Sequence, residues 1–368
     1  MTRKSNRRDF LRGKLAAESL ADAAQKALPE HSGSVPADAS AAGYLLRISR
    51  RAMACEFEVC LNAGQYEQGT ERALEALDLV EVLEEQLSYF RPTSEISAIN
   101  RTAARRPVAV EPRLFELLEM AMRVSEETHR AFDLTSTPLW EAWGFSRRAG
   151  AVPSPEQLAE ARTYVGSHLV ELDPQHRTIR FRRPGVRLNL GSLGKGYALD
   201  RCAEKLAAAG MGDFLLHGGY SSVLARGSPQ GAEGPSRGTT SPGWTVGIRH
   251  PMRRDRRVAE VRLSGRALST SGASAQSFRH QGRRYGHIID PRTGQPAEGV
   301  LSATAVAPSA ALAEALSTAF YVMGPDPALD YCRPRPELAA VVVYRSSQDG
   351  EIDILSAGFS DRELALRI

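Results

Sequence analysis

A succession of short β-strand patterns separated by glycines and prolines fills most of the chain after residue 166, and it constrains the fold more than any other feature. These patterns lie at residues 168–172, 177–182, 186–190, 214–217, 221–226, 244–249, 257–263, 266–270, 285–289, 301–307 and 338–345. Another strand pattern, at 44–61, begins the first half of the chain. The helical patterns lie at 69–89, 113–129, 155–164, 195–209 and 309–323. Strands and helices arranged in this way predict an α+β fold.

Composition divides the chain into a tail and a folded body. Residues 29–43 are polar, small and rich in turn formers, which is typical of a linker. We therefore expect an N-terminal tail with its linker over residues 1–43 and one domain over 44–368. Residues 227–243 lack apolar side chains apart from one alanine, and this predicts a disordered insertion in that domain.

The N-terminus looks like the start of a twin-arginine export signal without its continuation. Arg7 and Arg8 stand in a segment of the expected type, residues 5–12. A signal then needs an apolar stretch of roughly 7–15 residues, whereas residues 13–28 carry Lys and acidic side chains and favour an exposed amphipathic helix. We expect a cytoplasmic protein, with periplasmic export as the alternative. No segment approaches the ~18 apolar residues of a membrane span, so we expect no transmembrane segment.

Charge and cysteine content argue against two kinds of site. The formal charge of +4 and the pI near 8.9 are mild for 368 residues, so we expect no nucleic-acid partner. The four cysteines form no Cys-x-x-Cys pair and have no zinc-ligand spacing with histidines, which argues against zinc. Cys55 and Cys60 are an odd number of positions apart in one strand pattern. Their side chains therefore point to opposite faces and do not bridge easily.

Residues 286–294, Gly-His-Ile-Ile-Asp-Pro-Arg-Thr-Gly, place ionisable groups beside a tight turn. Pro291 fixes φ, and Gly294 supplies the conformational freedom that closes the turn. We expect an ordered loop in which His287 and Asp290 are available for chemistry. The alternative is a capped turn in which Asp290 bonds its own backbone.

Residues 189–200 place three glycines around Ser192 and Lys195, where a strand pattern gives way to a helix. The free backbone amides of a helix N-terminus, with a lysine beside them, are suited to binding phosphate. The spacing matches neither a Walker loop nor a dinucleotide fingerprint. A purely structural turn is therefore the alternative.

The helix predicted to start near Ser309 carries oxygen ligands on one face. Glu314 and Thr318 are four residues apart, and Ser317 is adjacent. A carboxylate and hydroxyls are ligands that Mg²⁺ prefers at phosphoryl sites. The alternative is that Glu314 is solvated and Thr318 faces the core.

Residues 131–145 are dense in aromatic side chains around Asp133. Aromatic rings with one acid can stack on and orient a flat ligand ring. For Trp140 and Trp143, three residues apart, we favour a place in the core. Residues 217–219, His-Gly-Gly, indicate a close approach of the backbone to a ligand or another strand.

Segments spread from residue 53 to 324 resemble, in this order, the FAD:protein FMN transferase (ApbE) family. The segments are Met53–Cys55, Leu87–Ile96 with Asn100, Ala131–Thr135, the Lys195 turn, Gly218-Gly219, Thr270–Gly272, His287–Gly294 and Glu314–Gly324. The resemblance implies a two-lobed α+β fold with mixed or antiparallel sheets, packed helices and FAD in a cleft between the lobes. It also implies Mg²⁺-dependent transfer of FMN from FAD to a Thr or Ser hydroxyl of an acceptor protein, with AMP as the leaving group.

The resemblance also assigns roles to individual residues. His287 falls at the position of the family's proposed general base. The residues that match its FAD contacts are Met53, Phe90, Ala131, Phe132, Asp133, Asn189, Lys195 and Ile288. The residues that match its metal site are Ser192, through its carbonyl, and Glu314, Ser317 and Thr318.

Several positions depart from the family pattern. Ala54-Cys55 replaces Gly-Thr, Phe90 replaces a tyrosine, Asn189 and Tyr220 each replace an aspartate, and Glu314 replaces the metal-binding aspartate. Fewer carboxylates weaken Mg²⁺ binding, so two other functions stay open. One is hydrolysis of FAD to FMN and AMP, and the other is FAD binding without catalysis. The sequence identifies neither the acceptor protein nor the oligomeric state.

Overall fold

The computed structural model describes residues 44–230, 243–253, 255–272, 276–346 and 351–367. Its helices are α1 (Gly69–Leu87), α2 (Glu95–Thr102), α3 (Pro112–Glu127), α4 (Thr137–Ala142), α5 (Pro155–Arg162), α6 (Gly194–Ala208), α7 (Ala310–Met323) and α8 (Pro325–Cys332). Its strands are β1 (Leu45–Ala52), β2 (Cys55–Asn62), β3 (Val108–Ala109), β4 (Val170–Asp173), β5 (Thr178–Phe181), β6 (Phe214–Gly218), β7 (Ser222–Arg226), β8 (Trp244–Arg249), β9 (Arg257–Leu263), β10 (Arg266–Gly272), β11 (Ser277–His280), β12 (Arg283–Gly286), β13 (Val300–Ala307), β14 (Ala339–Arg345), β15 (Ile352–Ala357) and β16 (Leu364–Leu366). The α+β class predicted from the sequence is confirmed.

The largest sheet has eight strands in the order β1-β2-β6-β7-β10-β13-β14-β15. Each neighbouring pair in it is antiparallel. The smaller sheets, β16-β9-β8, β3-β5-β4 and the hairpin β11-β12, are antiparallel as well. Of the two sheet types that the resemblance allowed, the structure thus shows the antiparallel one.

The two faces of the large sheet belong to different hydrophobic cores, because successive side chains of a strand point to opposite faces. Along β2, Phe57 and Val59 enter a core that also contains side chains of α1, α6 and α7. Cys60 enters a second core with side chains of β8 and β9. Cys55 packs against the first core, so the two cysteines point to opposite faces as predicted, and all four cysteines are free thiols.

The prediction of one strand over residues 44–61 is wrong. The chain reverses at Met53 and Ala54, whose φ angles of 48° and 59° lie in the left-handed region. Ala52 therefore pairs with Cys55, and β1 and β2 form a hairpin. The turn contains neither glycine nor asparagine, the residues that announce such turns, and the alternating pattern continues on both of its sides.

The predicted strand at 186–190 is also wrong. Leu188 exchanges two hydrogen bonds with the side-chain amide of Asn100, at 2.8 and 2.9 Å. The N–H of Asn189 donates to the carbonyl oxygen of Leu134 at 3.2 Å. A side chain and a loop thus take the place of a neighbouring strand. Helices α2, α4 and α8 were not predicted, because each has eight residues or fewer and shows little periodicity, whereas the equally short α5 is indicated by its Pro-Ser-Pro-Glu start.

Some predictions fall on residues outside the described ranges. These are the tail and linker at 1–43, with the amphipathic helix at 13–28, and residues 231–242 of the predicted insertion. Its first residues are described: the N–H of Ser228 donates to Asp213, and that of Gln230 to Asn62, both at 2.9 Å. Among the described helices, none has the length and apolarity needed to cross a membrane.

Candidate active site

The candidate site is a cleft of about 390 Å³. Segments that are remote in the sequence wall it, among them the start of α6, one face of α7 and the loop after β12. Eleven predicted site residues line the cleft: Ala131, Phe132, Asp133, Asn189, Ser192, Lys195, His287, Ile288, Glu314, Ser317 and Thr318. Motifs identified separately in the sequence therefore meet at one place.

Met53 and Phe90 do not line this cleft. Met53 lies in the β1-β2 turn, where its N–H donates to the Glu84 carboxylate at 2.7 Å. Phe90 is 67% exposed. Its ring centroid lies 6.4 Å from that of Trp140, which does line the cleft. Phe90 is thus next to the rim, and Trp140 lines the cleft while it packs, partly buried, against the core cluster that contains Trp143.

Asn189 shapes the turn that leads into α6. Its Oδ1 accepts a hydrogen bond from the N–H of Gly191 at 2.9 Å. The N–H of Gly194 then donates to the carbonyl oxygen of Leu190 at 2.7 Å. This turn ends at the helix N-terminus and brings Lys195 to the cleft, the position expected for an anion site.

Helices α6 and α7 meet backbone to backbone beside the cleft. A Cβ atom at Gly196 would lie 2.2 Å from the carbonyl oxygen of Ala310, so only glycine permits this approach. One turn further along α6, the Asp200 carboxylate accepts hydrogen bonds from the N–H groups of Ala310 and Ala311 at 2.7 and 2.9 Å. Asp200 therefore caps the helix that carries the predicted metal ligands.

The Glu314 carboxylate is buried in the wall of the cleft and is bonded to three groups. It is 3% exposed, and Lys195 Nζ lies 2.7 Å from its Oε1. Ser222 donates to the same oxygen at 2.5 Å, and the N–H of Gly196 donates to Oε2 at 2.8 Å. Burial opposes the charged form of Lys195, but Glu314 outweighs burial and raises the lysine's pKa. The sequence alternative of a solvated Glu314 is wrong.

Hydroxyl groups surround this ion pair. The hydroxyls of Ser317 and Thr318 donate to the backbone carbonyl oxygen of Glu314 at 3.0 and 3.1 Å. Ser271 Oγ lies 2.9 Å from Ser317 Oγ and 3.3 Å from Thr318 Oγ1. The cleft thus contains a carboxylate and several hydroxyl oxygens, which are hard ligands.

In the described part of the chain, one ring nitrogen of His287 has no hydrogen-bond partner. Its Nδ1 lies 3.0 Å from the carbonyl oxygen of Gln276, which can only accept, so Nδ1 carries the proton and Nε2 remains basic. Burial lowers the pKa of His287, the Gln276 hydrogen bond opposes this, and the charge of Lys195 lowers the pKa further. The imidazole is therefore neutral near pH 7 and able to accept a proton.

The turn after His287 is the capped turn that the sequence left as an alternative. Asp290 Oδ1 accepts from the N–H of Arg292 at 2.9 Å, and its carboxylate pairs with the Arg292 guanidinium. The buried Trp143 indole donates to the carbonyl oxygen of Gly294 at 2.9 Å. Asp290 is thus occupied within the turn, and Trp143 is in the core as favoured.

Asp133 is buried, and its carboxylate organises the chain around it. Oδ1 accepts from the N–H and the hydroxyl of Thr135 at 2.8 and 2.6 Å, and Oδ2 accepts from the N–H of Ser167 at 2.8 Å. Burial raises the pKa of Asp133, although these hydrogen bonds lower it. The side chain links two loops at the edge of the cleft.

Comparison with known proteins assigns the chain to a family. The model of the ApbE family matches residues 53–342. The chain belongs to the ApbE family. It is 28% identical over 312 residues to the FAD:protein FMN transferase of Haemophilus influenzae, covering 82% of this chain and 87% of that protein. It is 33% identical over 297 residues to the Treponema pallidum protein of the same name, covering 78% and 80%.

The fold agrees with a solved member of the ApbE family. The crystal structure of the Pseudomonas stutzeri flavinyl transferase ApbE, in its apo form, superposes with a TM-score of 0.73 at 27% identity. The match covers 86% of this chain and 95% of that one. The family resemblance read from the motifs is therefore confirmed, together with the α+β fold that it implied.

Four residues that build this ApbE-family site were not predicted from the sequence. Ser222 and Ser271 supply hydroxyls to Glu314 and to the Ser317 side chain, and both lie on strands of the large sheet. Asp200 is the last residue of the motif at 189–200. Its position on the predicted helix is the feature from which the sequence could have identified it. Gln276 acts through its backbone carbonyl, for which a sequence carries no signal.

Proposed function

We propose that this chain is a FAD:protein FMN transferase, which transfers FMN from FAD to a Thr or Ser hydroxyl of an acceptor protein and releases AMP. The ApbE family match and the names of the relatives support the activity. The observation that carries the proposal is a single cleft lined by a basic imidazole, an ammonium group and a helix N-terminus. This combination serves phosphoryl transfer, in which positioning and charge neutralisation dominate.

His287 is the proposed general base. Its Nε2 takes the proton of the acceptor hydroxyl while the hydroxyl oxygen forms a bond to the phosphorus of the FMN portion. The bond from that phosphorus to the bridging oxygen breaks, and AMP leaves with the electron pair. The Lys195 ammonium group and the positive end of the α6 helix dipole stabilise the negative charge on the pyrophosphate oxygens.

The other residues that match FAD contacts of the family are proposed to position FAD. Ala131, Phe132 and Ile288 supply apolar surface, and Asn189 holds the turn before α6. Phe90 lies beside Trp140 at the rim, where aromatic rings can stack on a flavin. Met53 and Asp133 are proposed to contribute indirectly, since the backbone of one and the carboxylate of the other are bonded within the protein.

We further propose that Ser192, through its carbonyl, and Glu314, Ser317 and Thr318 hold Mg²⁺. The donor set fits, because it consists of hard oxygens and lines the same cleft. The hydroxyl groups of Ser317 and Thr318 donate hydrogen bonds to the Glu314 carbonyl oxygen, so the lone pairs of these hydroxyl oxygens remain available to a cation. Lys195 and Ser222 occupy Oε1 of Glu314, which leaves Oε2 as the less occupied oxygen. When bound, Mg²⁺ neutralises charge on the phosphoryl oxygens.

The test is an assay with purified chain, FAD, Mg²⁺ and a candidate acceptor domain, followed by mass spectrometry. The proposal expects an acceptor mass increased by one FMN, with AMP released in equal amount. Free FMN and AMP without a modified acceptor would instead identify a hydrolase, and unchanged bound FAD would identify a non-catalytic flavin-binding protein. His287→Ala should abolish transfer and retain FAD binding, whereas His280→Ala, at an exposed histidine on β11, should retain both.

The acceptor shares the compartment of the enzyme, and we propose that this compartment is the cytoplasm. The proposal rests on the charged residues that follow Arg7-Arg8 in the sequence. A reporter fused behind residues 1–43 should stay in the cytoplasmic fraction. Its recovery from the periplasm would establish the export alternative.

A further inference from the structure

A second group of chemically active side chains lies on the sheet face opposite the cleft. Glu58 and Cys60 are two positions apart on β2 and share that face. His217 on β6 pairs directly with Glu58. Cys60 belongs to the core that contacts β8 and β9, whereas Ser222 bonds the cleft residue Glu314 on the helical side of the sheet.

The atoms of these three side chains are close enough to bind one ion. A sulfur, an imidazole nitrogen and a carboxylate oxygen all lie within 4.8 Å of one another. Cys60 Sγ lies 3.1 Å from Glu58 Oε1. Thiolate, imidazole and carboxylate are the side chains that bind Zn²⁺, and three protein ligands with one open position are a common arrangement.

The His217 imidazole is available to bind a metal ion. Its imidazole has no hydrogen-bond partner in the part of the chain that the structure describes, although the residue is partly buried. Buried polar groups ordinarily have partners. Cys60 is 2% exposed, and its thiol donates to Glu58 rather than to the His217 imidazole. A bound cation would satisfy all three groups at once.

We propose that Glu58, Cys60 and His217 form a site for a divalent transition metal of the zinc type, with water or an external ligand in the fourth position. On binding, the Cys60 thiol loses its proton to solvent and a sulfur–metal bond forms. Cys60 and His217 are far apart in the sequence and match no zinc motif, so only the β2-β6 register reveals the site.

The site would tie together strands that lead to the cleft. His217 immediately precedes Gly218-Gly219, and Gly219 N–H donates to the Glu56 carbonyl oxygen at 2.7 Å. The chain then returns as β7, whose first residue Ser222 donates to Glu314. A metal at this position would stabilise the β2-β6 pair from the side remote from FAD.

The test is a Co²⁺ titration of the full chain after treatment with a chelator. Binding at this site should give a thiolate-to-cobalt charge-transfer absorption at one equivalent of metal per chain, and Zn²⁺ should displace it. Cys60→Ser should abolish the absorption. His217→Ala and Glu58→Gln should weaken Co²⁺ binding by more than the roughly 10–100-fold that outer-shell partners of a metal cost.

Two cysteine variants serve as matched controls. Cys332→Ser removes another buried thiol, and Cys55→Ser removes the thiol nearest the cleft, so both should keep the absorption. Glu58→Gln retains an acceptor for Cys60, and circular dichroism checks that each variant is folded. No charge-transfer absorption in the wild type, or an equal one in folded Cys60→Ser, would overturn the proposal.

Discussion

Lys195 Nζ lies 2.7 Å from Oε1 of Glu314, and the two residues belong to different helices. The carboxylate is 3% exposed, whereas the lysine side chain retains 25% exposure toward the cleft. The pair thus joins α6 to α7 and still leaves the ammonium group accessible to a ligand. Stability and the proposed binding of the pyrophosphate therefore depend on the same contact.

Glu314→Gln should destabilise the protein by about 3 kcal/mol. This is the lower end of the range for breaking a buried ion pair, because Lys195 is partly hydrated. Urea unfolding measures this change. Glu298→Gln is the control, since Glu298 pairs with Arg283 at 2.7 Å and both side chains are more than half exposed. Its cost should stay below about 1 kcal/mol. Equal costs for the two variants would show that the buried pair contributes no more than a surface one.

The flavin-transfer rate should persist to pH values below 6.5, the ordinary pKa of histidine. Burial lowers the pKa of His287, so the imidazole stays neutral and basic in acid that would protonate an exposed histidine. The measurement is kcat/KM against pH, with FAD affinity followed over the same range. A rate that halves above pH 6.5 while FAD binding is unchanged would contradict this role for His287.

Asp133→Asn should reduce stability more than it reduces FAD affinity. An amide offers one acceptor oxygen, so the N–H of Ser167 or the donors of Thr135 would lose their partner at a cost of about 1–3 kcal/mol. Thermal unfolding and FAD titration measure the two effects. Asp361→Asn, at an exposed position, should change neither appreciably. If FAD affinity falls at unchanged stability, Asp133 contacts FAD directly.

Asp200 should make the protein more stable in mild acid. Burial raises its pKa from 3.8 to about 6, although the N–H groups of Ala310 and Ala311 lower it. A carboxyl whose pKa is higher in the folded chain binds its proton more tightly when folded. Its contribution to stability is therefore fully present below the unfolded value of 3.8 and is lost as pH rises through about 6.

The advantage of the wild type over Asp200→Asn should accordingly shrink by up to about 3 kcal/mol between about pH 4 and about pH 7. Urea unfolding of both proteins at several pH values measures the difference. A difference independent of pH would mean that Asp200 titrates at the same pH in the folded and unfolded chains.

Local sequence was sufficient to predict several of the residues that line the cleft. Lys195 follows a glycine-rich turn, Glu314 and Thr318 share one helical face, and His287 precedes a proline turn, so each was predicted separately. Ser222 could not be found in this way. Its role depends on its pairing with Gly218 and Ser269, and such registers are set by long-range packing.

The fold likewise has elements that the local sequence predicts and elements that depend on long-range contacts. Helix α1 was predicted because its apolar residues recur over several turns. The reversal at Met53 was missed because two non-glycine residues with positive φ are held there by tertiary contacts, such as the bond from Met53 N–H to Glu84. Residues 186–190 have a strand pattern, but Asn100 supplies hydrogen bonds that no local pattern announces.

The crossing of α6 and α7 at Gly196 has a consequence for sequence change over time. The helix spacing there is set by main-chain atoms, with the position of a Cβ at Gly196 only 2.2 Å from the Ala310 carbonyl oxygen. Substitutions elsewhere in the core alter side-chain volumes but leave this contact as it is. The main-chain spacing of the two helices that carry Lys195 and Glu314 is therefore protected from such substitutions, so the side chains at these positions can change while the backbone around them keeps its dimensions.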